Sequence, residues 1–130
     1  MFTHFDEKGR ARMVDITDKP VTERIAITEG IVKMKPETLK MILNKTIVKG
    51  DVFQVARLAG IMAAKMTPHL IPLCHPLPIT SIEIDFEPDE ENSQVKIKTT
   101  VKTTAQTGVE MEAMVATSLA SLTVYDMCKA

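Results

Sequence analysis

The chain has 130 residues, 45% of them apolar and 25% charged, with 16 Lys and Arg against 17 Asp and Glu for a formal net charge of −1. That length and composition fit one folded domain and exclude general disorder, while the charge balance excludes bulk electrostatic binding to nucleic acid or an anionic membrane. Any anionic ligand is therefore expected to be small. The longest uncharged run, Met66 to Ile82, spans 17 residues, and Pro68, Pro72, Pro76 and Pro78 break it, which argues against a bilayer span. The N-terminus lacks the basic start and apolar core of a secretory signal, and Cys74 and Cys128 show no paired spacing. A cytoplasmic location with reduced thiols is the expectation.

Residues 1–20 carry no sustained periodicity and read as an arm with nothing regular in it. From 21 onward a single α+β domain is expected. Val21 to Met34 is β-rich, with Ile25, Ile27 and Ile31 marking a strand that Gly30 can bend. Pro36 to Asn44 reads as a short helix, with proline in its first turn. Asp51 is a good N-cap for a second helix reaching Met66, and Val52, Val55, Leu58, Ala59, Met62 and Ala63 are expected to face the core. Pro68 ends it, and Thr67 to Pro78 reads as an ordered, non-helical loop whose Leu70, Ile71, Leu73 and Leu77 need cover.

Residues 79–87 and 94–102 both alternate apolar and charged side chains, so they read as half-buried strands joined by a hairpin loop over Pro88 to Ser93. Pairing Phe86 with Val95 places Ile84 on Ile97 and Ile82 on Thr99 inside, with Asp85 meeting Lys96 and Glu83 meeting Lys98 outside. The last segment, Gly108 to Ala130, reads as a helix with no charge between Ala113 and Tyr125. Such a helix needs cover nearly all round, so its stripe rich in Ala and Ser is expected to meet another subunit. The order β-α-α-β-β-α predicts helices packed on one face of an antiparallel sheet.

Four places can carry chemistry. Lys49-Gly50-Asp51 puts a cation and a glycine at a helix N-terminus, where phosphate is favoured, though no P-loop pattern is present and a turn with a capping Asp explains it equally well. Arg24 lies in the first strand. His75 sits between Cys74 and Pro76 in an apolar loop, suited to proton transfer but more often a buried histidine with a backbone partner. No CxxC or HExxH spacing supports zinc, and nothing local lowers the Cys74 pKa. In the last helix, Glu110 and Glu112 suit the first turn, whereas Asp126 near the C-terminal end needs a partner, which Lys129 at i+3 supplies. At the edge of an apolar region that lysine can trade protons near neutrality, although a plain surface ion pair explains the contact as well. Glu112 and Asp126 are 14 residues apart, roughly 21 Å along one helix. A small substrate reaches both only if two copies share one site.

The runs Met13-Val14-Asp15-Ile16, Lys49-Gly50-Asp51-Val52, Ala56-Arg57-Leu58-Ala59-Gly60, Leu70 to Leu77, Thr107 to Ala113 and Tyr125 to Ala130 closely resemble the molybdenum cofactor biosynthesis protein C family, the cyclic pyranopterin monophosphate synthases. The resemblance implies a ferredoxin-like α+β subunit assembled as a hexamer of three dimers, with active sites at dimer interfaces. It implies a lyase that rearranges a cyclic dihydroguanosine triphosphate intermediate to cyclic pyranopterin monophosphate and releases pyrophosphate, with no metal or other cofactor expected. By the same resemblance Asp126 and Lys129 are the catalytic pair, and His75 also handles a proton. Arg24, Lys49 and Lys65 hold the triphosphate, while Cys74, His75, Glu110, Met111 and Glu112 wall the ring system. Family members usually continue through a further strand and a glycine-rich loop bearing another lysine, which this sequence, ending at Ala130, does not contain. Three strands are therefore expected in 1–130, and either the sequence is incomplete or this version lacks part of the family's site. A non-catalytic module binding an anionic metabolite and a purely structural oligomer are the rival readings.

Overall fold

The computed structural model describes residues 3–129, so the first two arm residues and the expected helical end at Ala130 lie outside it. Strand β1 (Thr22–Lys33) is followed by helices α1 (Pro36–Leu43) and α2 (Val52–Lys65) and the single turn α3 (Thr67–Leu70). Strands β2 (Ile79–Asp89) and β3 (Gln94–Ala105) and helix α4 (Glu110–Cys128) complete the order. The three strands form one antiparallel sheet in the order β1-β3-β2. Helix α4 packs on β1 and β3 and α2 on β2 and α4, an α+β arrangement consistent with a ferredoxin-like fold.

Alternation along β3 explains why one face is covered. Val95, Ile97, Thr99, Val101, Thr103 and Ala105 are buried under the helices, while the intervening Lys96, Lys98 and Lys102 stand on the other face. Fully burying a side chain such as Ile97 contributes roughly 1.5–3 kcal/mol. On the open face Lys96 pairs with Glu87 at 3.2 Å and Glu29 at 4.0 Å, so the lysine row is a solvated, charge-matched surface rather than a ligand site.

The β2–β3 register differs from the expectation by two residues. Phe86 pairs with Ile97, Ile84 with Thr99, Ile82 with Val101, Asp85 with Lys98 and Glu87 with Lys96. The cause is the turn: the Asp89 carboxylate accepts from the Asn92 backbone N–H at 3.1 Å and side-chain amide at 2.8 Å, closing the hairpin over four residues. Strand β2 consequently continues through Pro88, which an edge strand tolerates. Because the slip is even, every residue keeps its face.

Three packing expectations are corrected. The stretch after α2 is not wholly non-helical, since Thr67–Leu70 makes one turn with its proline in the first positions. Helix α2 buries Val52, Ala56, Gly60, Ala63 and Ala64, and leaves Val55, Leu58 and Met62 exposed. In α4 the small residues Ala113, Ala116 and Ala120 face inward rather than toward a neighbour, while Met114, Leu122 and Tyr125 are exposed. Close approach of two helices explains both inversions. A Cβ placed on Gly60 would lie 3.0 Å from the Ala116 carbonyl and 3.4 Å from the Ala120 Cβ, so only small residues fit this contact.

A buried threonine cluster sets where α4 lies on the sheet. The Thr28 hydroxyl on β1 donates to the Ala113 carbonyl at 2.8 Å and lies 2.8 Å from the Thr117 hydroxyl, which in turn donates to Thr99 on β3 at 2.8 Å. Paired polar groups of this kind hold one register, since any slip would leave them unsatisfied. The first turn of α4 is thereby fixed beside the 71–77 loop.

Candidate active site

A cavity of about 680 Å³ opens at the N-terminal end of α4. One wall is the proline-bounded loop carrying Cys74 and His75; a second is the Thr107–Gly108 turn with Glu110, Met111 and Glu112; a third is the arm, through His4, Phe5 and Ala11. The five ring-wall residues named from the sequence thus lie together. The Glu110 carboxylate packs over the Gly108 Cα, in the space a Cβ would take.

Glu112 is the unusual group of this cavity. The residue is only 3% exposed, and among the described residues it has no ion-pair partner. Burial raises its pKa above the usual carboxylate value; its own backbone N–H opposes the rise and the charge of Glu110 adds to it. Glu112 is thus more than a first-turn carboxylate suited to the helix dipole, since it is buried at the cavity. Cys74 is also pushed up, first by burial and then by the Glu112 charge, so it stays a protonated thiol at neutral pH.

His75 has a defined tautomer. Its Nε2 lies 2.7 Å from the Val14 carbonyl, which can only accept, so Nε2 carries the hydrogen and neutral His75 keeps a basic Nδ1. The histidine has the backbone partner that burial requires and still lines the cavity.

A second cluster forms at the other end of α4. Asp126 Oδ1 lies 3.2 Å from Lys129 Nζ and 3.7 Å from Lys49 Nζ, and Lys49 also donates to the Asp126 carbonyl at 2.7 Å. The Lys129 hydrogen bond, followed by the charge of Lys49, lowers the Asp126 pKa, so this carboxylate remains ionised although it faces the negative helix end. Lys49 reaches the end of α4 rather than the N-terminus of α2, where Asp51 caps Gln54 through its side chain. All three side chains are roughly half exposed, so the described residues of one chain supply no apolar enclosure around Lys129.

Arg24 and Lys65 belong to neither cluster. The Arg24 guanidinium bridges the Pro20 and Gln106 carbonyls at 3.2 and 3.4 Å, and its buried Nε has no partner among the described residues. Lys65, in the last turn of α2, borders a smaller cavity of about 350 Å³ that shares Leu77 with the larger one. Among the cavity residues that the sequence did not assign to a site, His4, Phe5 and Ala11 come from the arm and the rest from the 71–77 and 107–108 segments; Val14 was likewise not named as the His75 partner. The available signal was Phe5, an aromatic residue set in a polar segment.

Comparison with known proteins gives the family. A sequence model of the MoaC family matches residues 13–130. The chain is 60% identical over 128 residues to a cyclic pyranopterin monophosphate synthase of Magnetococcus marinus, covering 98% of this chain and 78% of that protein. It is 59% identical over 128 residues to the synthase of Pelotomaculum thermopropionicum, with 98% and 75% covered. It is 60% identical over the same length to that of Dinoroseobacter shibae, with 98% and 81% covered. The chain belongs to the MoaC family.

Proposed function

We propose that the chain is a cyclic pyranopterin monophosphate synthase, a lyase that converts 3′,8-cyclo-7,8-dihydro-GTP to cyclic pyranopterin monophosphate and releases pyrophosphate. The observation that carries this reading is Glu112, almost completely buried at a nucleotide-sized cavity with no ion-pair partner among the described residues. A charge so placed is costly unless a ligand supplies donors, and the amino and ring N–H groups of a guanine-derived ring are such donors. Glu110, Met111, Cys74 and His75 complete that wall. Two free thiols fit a cytoplasmic location.

Lys129 is the general acid/base, held by Asp126, and His75 moves a second proton through Nδ1. Lys49, Arg24 and Lys65 bind the triphosphate by charge-assisted hydrogen bonds, which strengthen on the departing pyrophosphate as charge builds there. The two clusters lie about 21 Å apart along α4, so the working site joins the Asp126 end of one subunit to the Glu112 end of another, within a hexamer of three dimers. Exposed Leu58 and Met62 on α2 and Leu122 and Tyr125 on α4 supply apolar surface for that assembly.

Incubating the full chain with the cyclic intermediate tests the proposal by pyrophosphate release. The expected result is turnover that falls at least about 100-fold in Lys129→Ala, in the range that loss of a general acid/base costs. Absence of release, or release unchanged in that variant, contradicts it.

A further inference from the structure

The N-terminal arm, expected to hold nothing regular, forms a small clasped hairpin at the cavity. Phe5 and Ala11 make a β-bridge, and the Arg12 N–H donates to the His4 carbonyl at 2.8 Å. The Asp6 carboxylate closes the turn by accepting from the Lys8 and Arg10 backbone N–H groups, each at 2.9 Å, and from Arg10 Nε at 2.7 Å. Gly9, at φ +75°, supplies the left-handed residue that the turn needs. The segment leading away from the hairpin is tied down through Val14 on His75 and through Thr17 and Lys19, whose carbonyls accept from the Gln106 amide at 3.1 and 3.2 Å.

This hairpin builds no core. A two-stranded hairpin alone is marginally stable in water, yet this one is held by a buttressed turn and presents a phenyl ring that is 50% exposed. Phe5 is the only phenyl ring among the described residues lining the cavity. Carboxylates bind a flat heteroaromatic ring through its edge, in the ring plane, so its two faces are left for whatever walls stand above and below. The cavity holds edge acceptors in Glu110 and Glu112, and in Phe5 a flat apolar surface of the kind ring faces stack on.

We infer that Phe5, presented by the Thr3–Arg12 hairpin, is a substrate-binding residue that stacks on the fused ring of the nucleotide-derived substrate. The inference rests on the function proposed above and adds the arm to its binding site. Phe5 recognises the ring and makes no contribution to triphosphate binding.

Direct binding and steady-state kinetics on the full chain, with the cyclic intermediate and with inorganic tripolyphosphate as separate probes, test the assignment. In Phe5→Leu, Kd and KM for the cyclic intermediate are expected to rise about tenfold, as loss of one stacked ring does, with kcat little changed and tripolyphosphate affinity unchanged. Phe5→Tyr, which keeps the ring, should restore wild-type binding. Unchanged Kd in Phe5→Leu overturns the assignment, and so does an equal loss for both probes, which would mean that Phe5 only supports the fold. Wild-type protein that binds the intermediate without releasing pyrophosphate defeats the proposed reaction, while Kd in the variants still decides the ring contact.

Discussion

Glu112 is where stability and function oppose each other. Its raised pKa means that the folded chain holds this proton more tightly than the unfolded chain does. Stability is therefore greatest below the ordinary carboxylate value and falls as pH climbs toward the raised one. Glu112→Gln removes the buried charge while keeping the shape, so Tm at pH 7.5 should rise by a few degrees and the decline above pH 4.5 attributable to this group should vanish. Turnover should fall at least about 100-fold through loss of the acceptor. Thermal melts across that pH range and a pyrophosphate assay check both halves; a lower Tm at pH 7.5 would show that the carboxylate is already satisfied. Sequence showed the residue and not its depth. A carboxylate in a first helical turn has an ordinary explanation in the helix dipole, and its depth depends on segments far along the chain, such as the 71–77 loop and the arm that line the same cavity. Asp126 was legible because a charge after an uncharged helical run, at the wrong end of the dipole, needs a partner wherever the fold places it.

Among the elements, the α2–α4 contact decides the geometry, since α4 carries both candidate clusters. Gly60→Ala is expected to destabilise the fold by about 1–3 kcal/mol, because the new Cβ meets Ile84 Cδ1 at 2.5 Å and the Ala116 carbonyl at 3.0 Å. The side chain can move aside, whereas the helix backbone cannot without lifting α4 off the threonine cluster. Chemical denaturation measures the loss, and an unchanged midpoint would mean that the helices are not in close contact. Periodicity located all the long elements to within a few residues, because the apolar repeat changes between strand and helix spacing. It placed Val52 and Ala63 inward correctly but misassigned Val55, Leu58 and Met62, the more apolar stripe, because the close helix contact is made by Ala56, Gly60, Ala63 and Ala64. The two-residue register slip was equally illegible: both pairings bury the same residues, and the Asp89–Asn92 turn chooses between them.

At the scale of the whole molecule, one chain holds the cavity lined by Glu110 and Glu112 and a Lys49–Asp126–Lys129 cluster at opposite ends of one helix. Exposed Ile25, Ile27 and Ile31 on β1, with the apolar stripes of α2 and α4, leave more uncovered hydrophobic surface than an isolated subunit needs. Assembly covers such surface and, across a two-fold axis, can bring the tail of one helix to the head of another. The sequence carried this much through simple arithmetic, the distance between Glu112 and Asp126, but it misplaced the Ala-rich face, whose burial is internal. The most direct test mixes two variants that are each inactive, Glu112→Gln and Lys129→Ala, after dissociation and reassembly. If each site is built from two chains, random pairing returns about a quarter of wild-type pyrophosphate release, since one of the two sites in every mixed dimer is intact. Activity in the mixture no higher than in either variant alone would contradict a shared site.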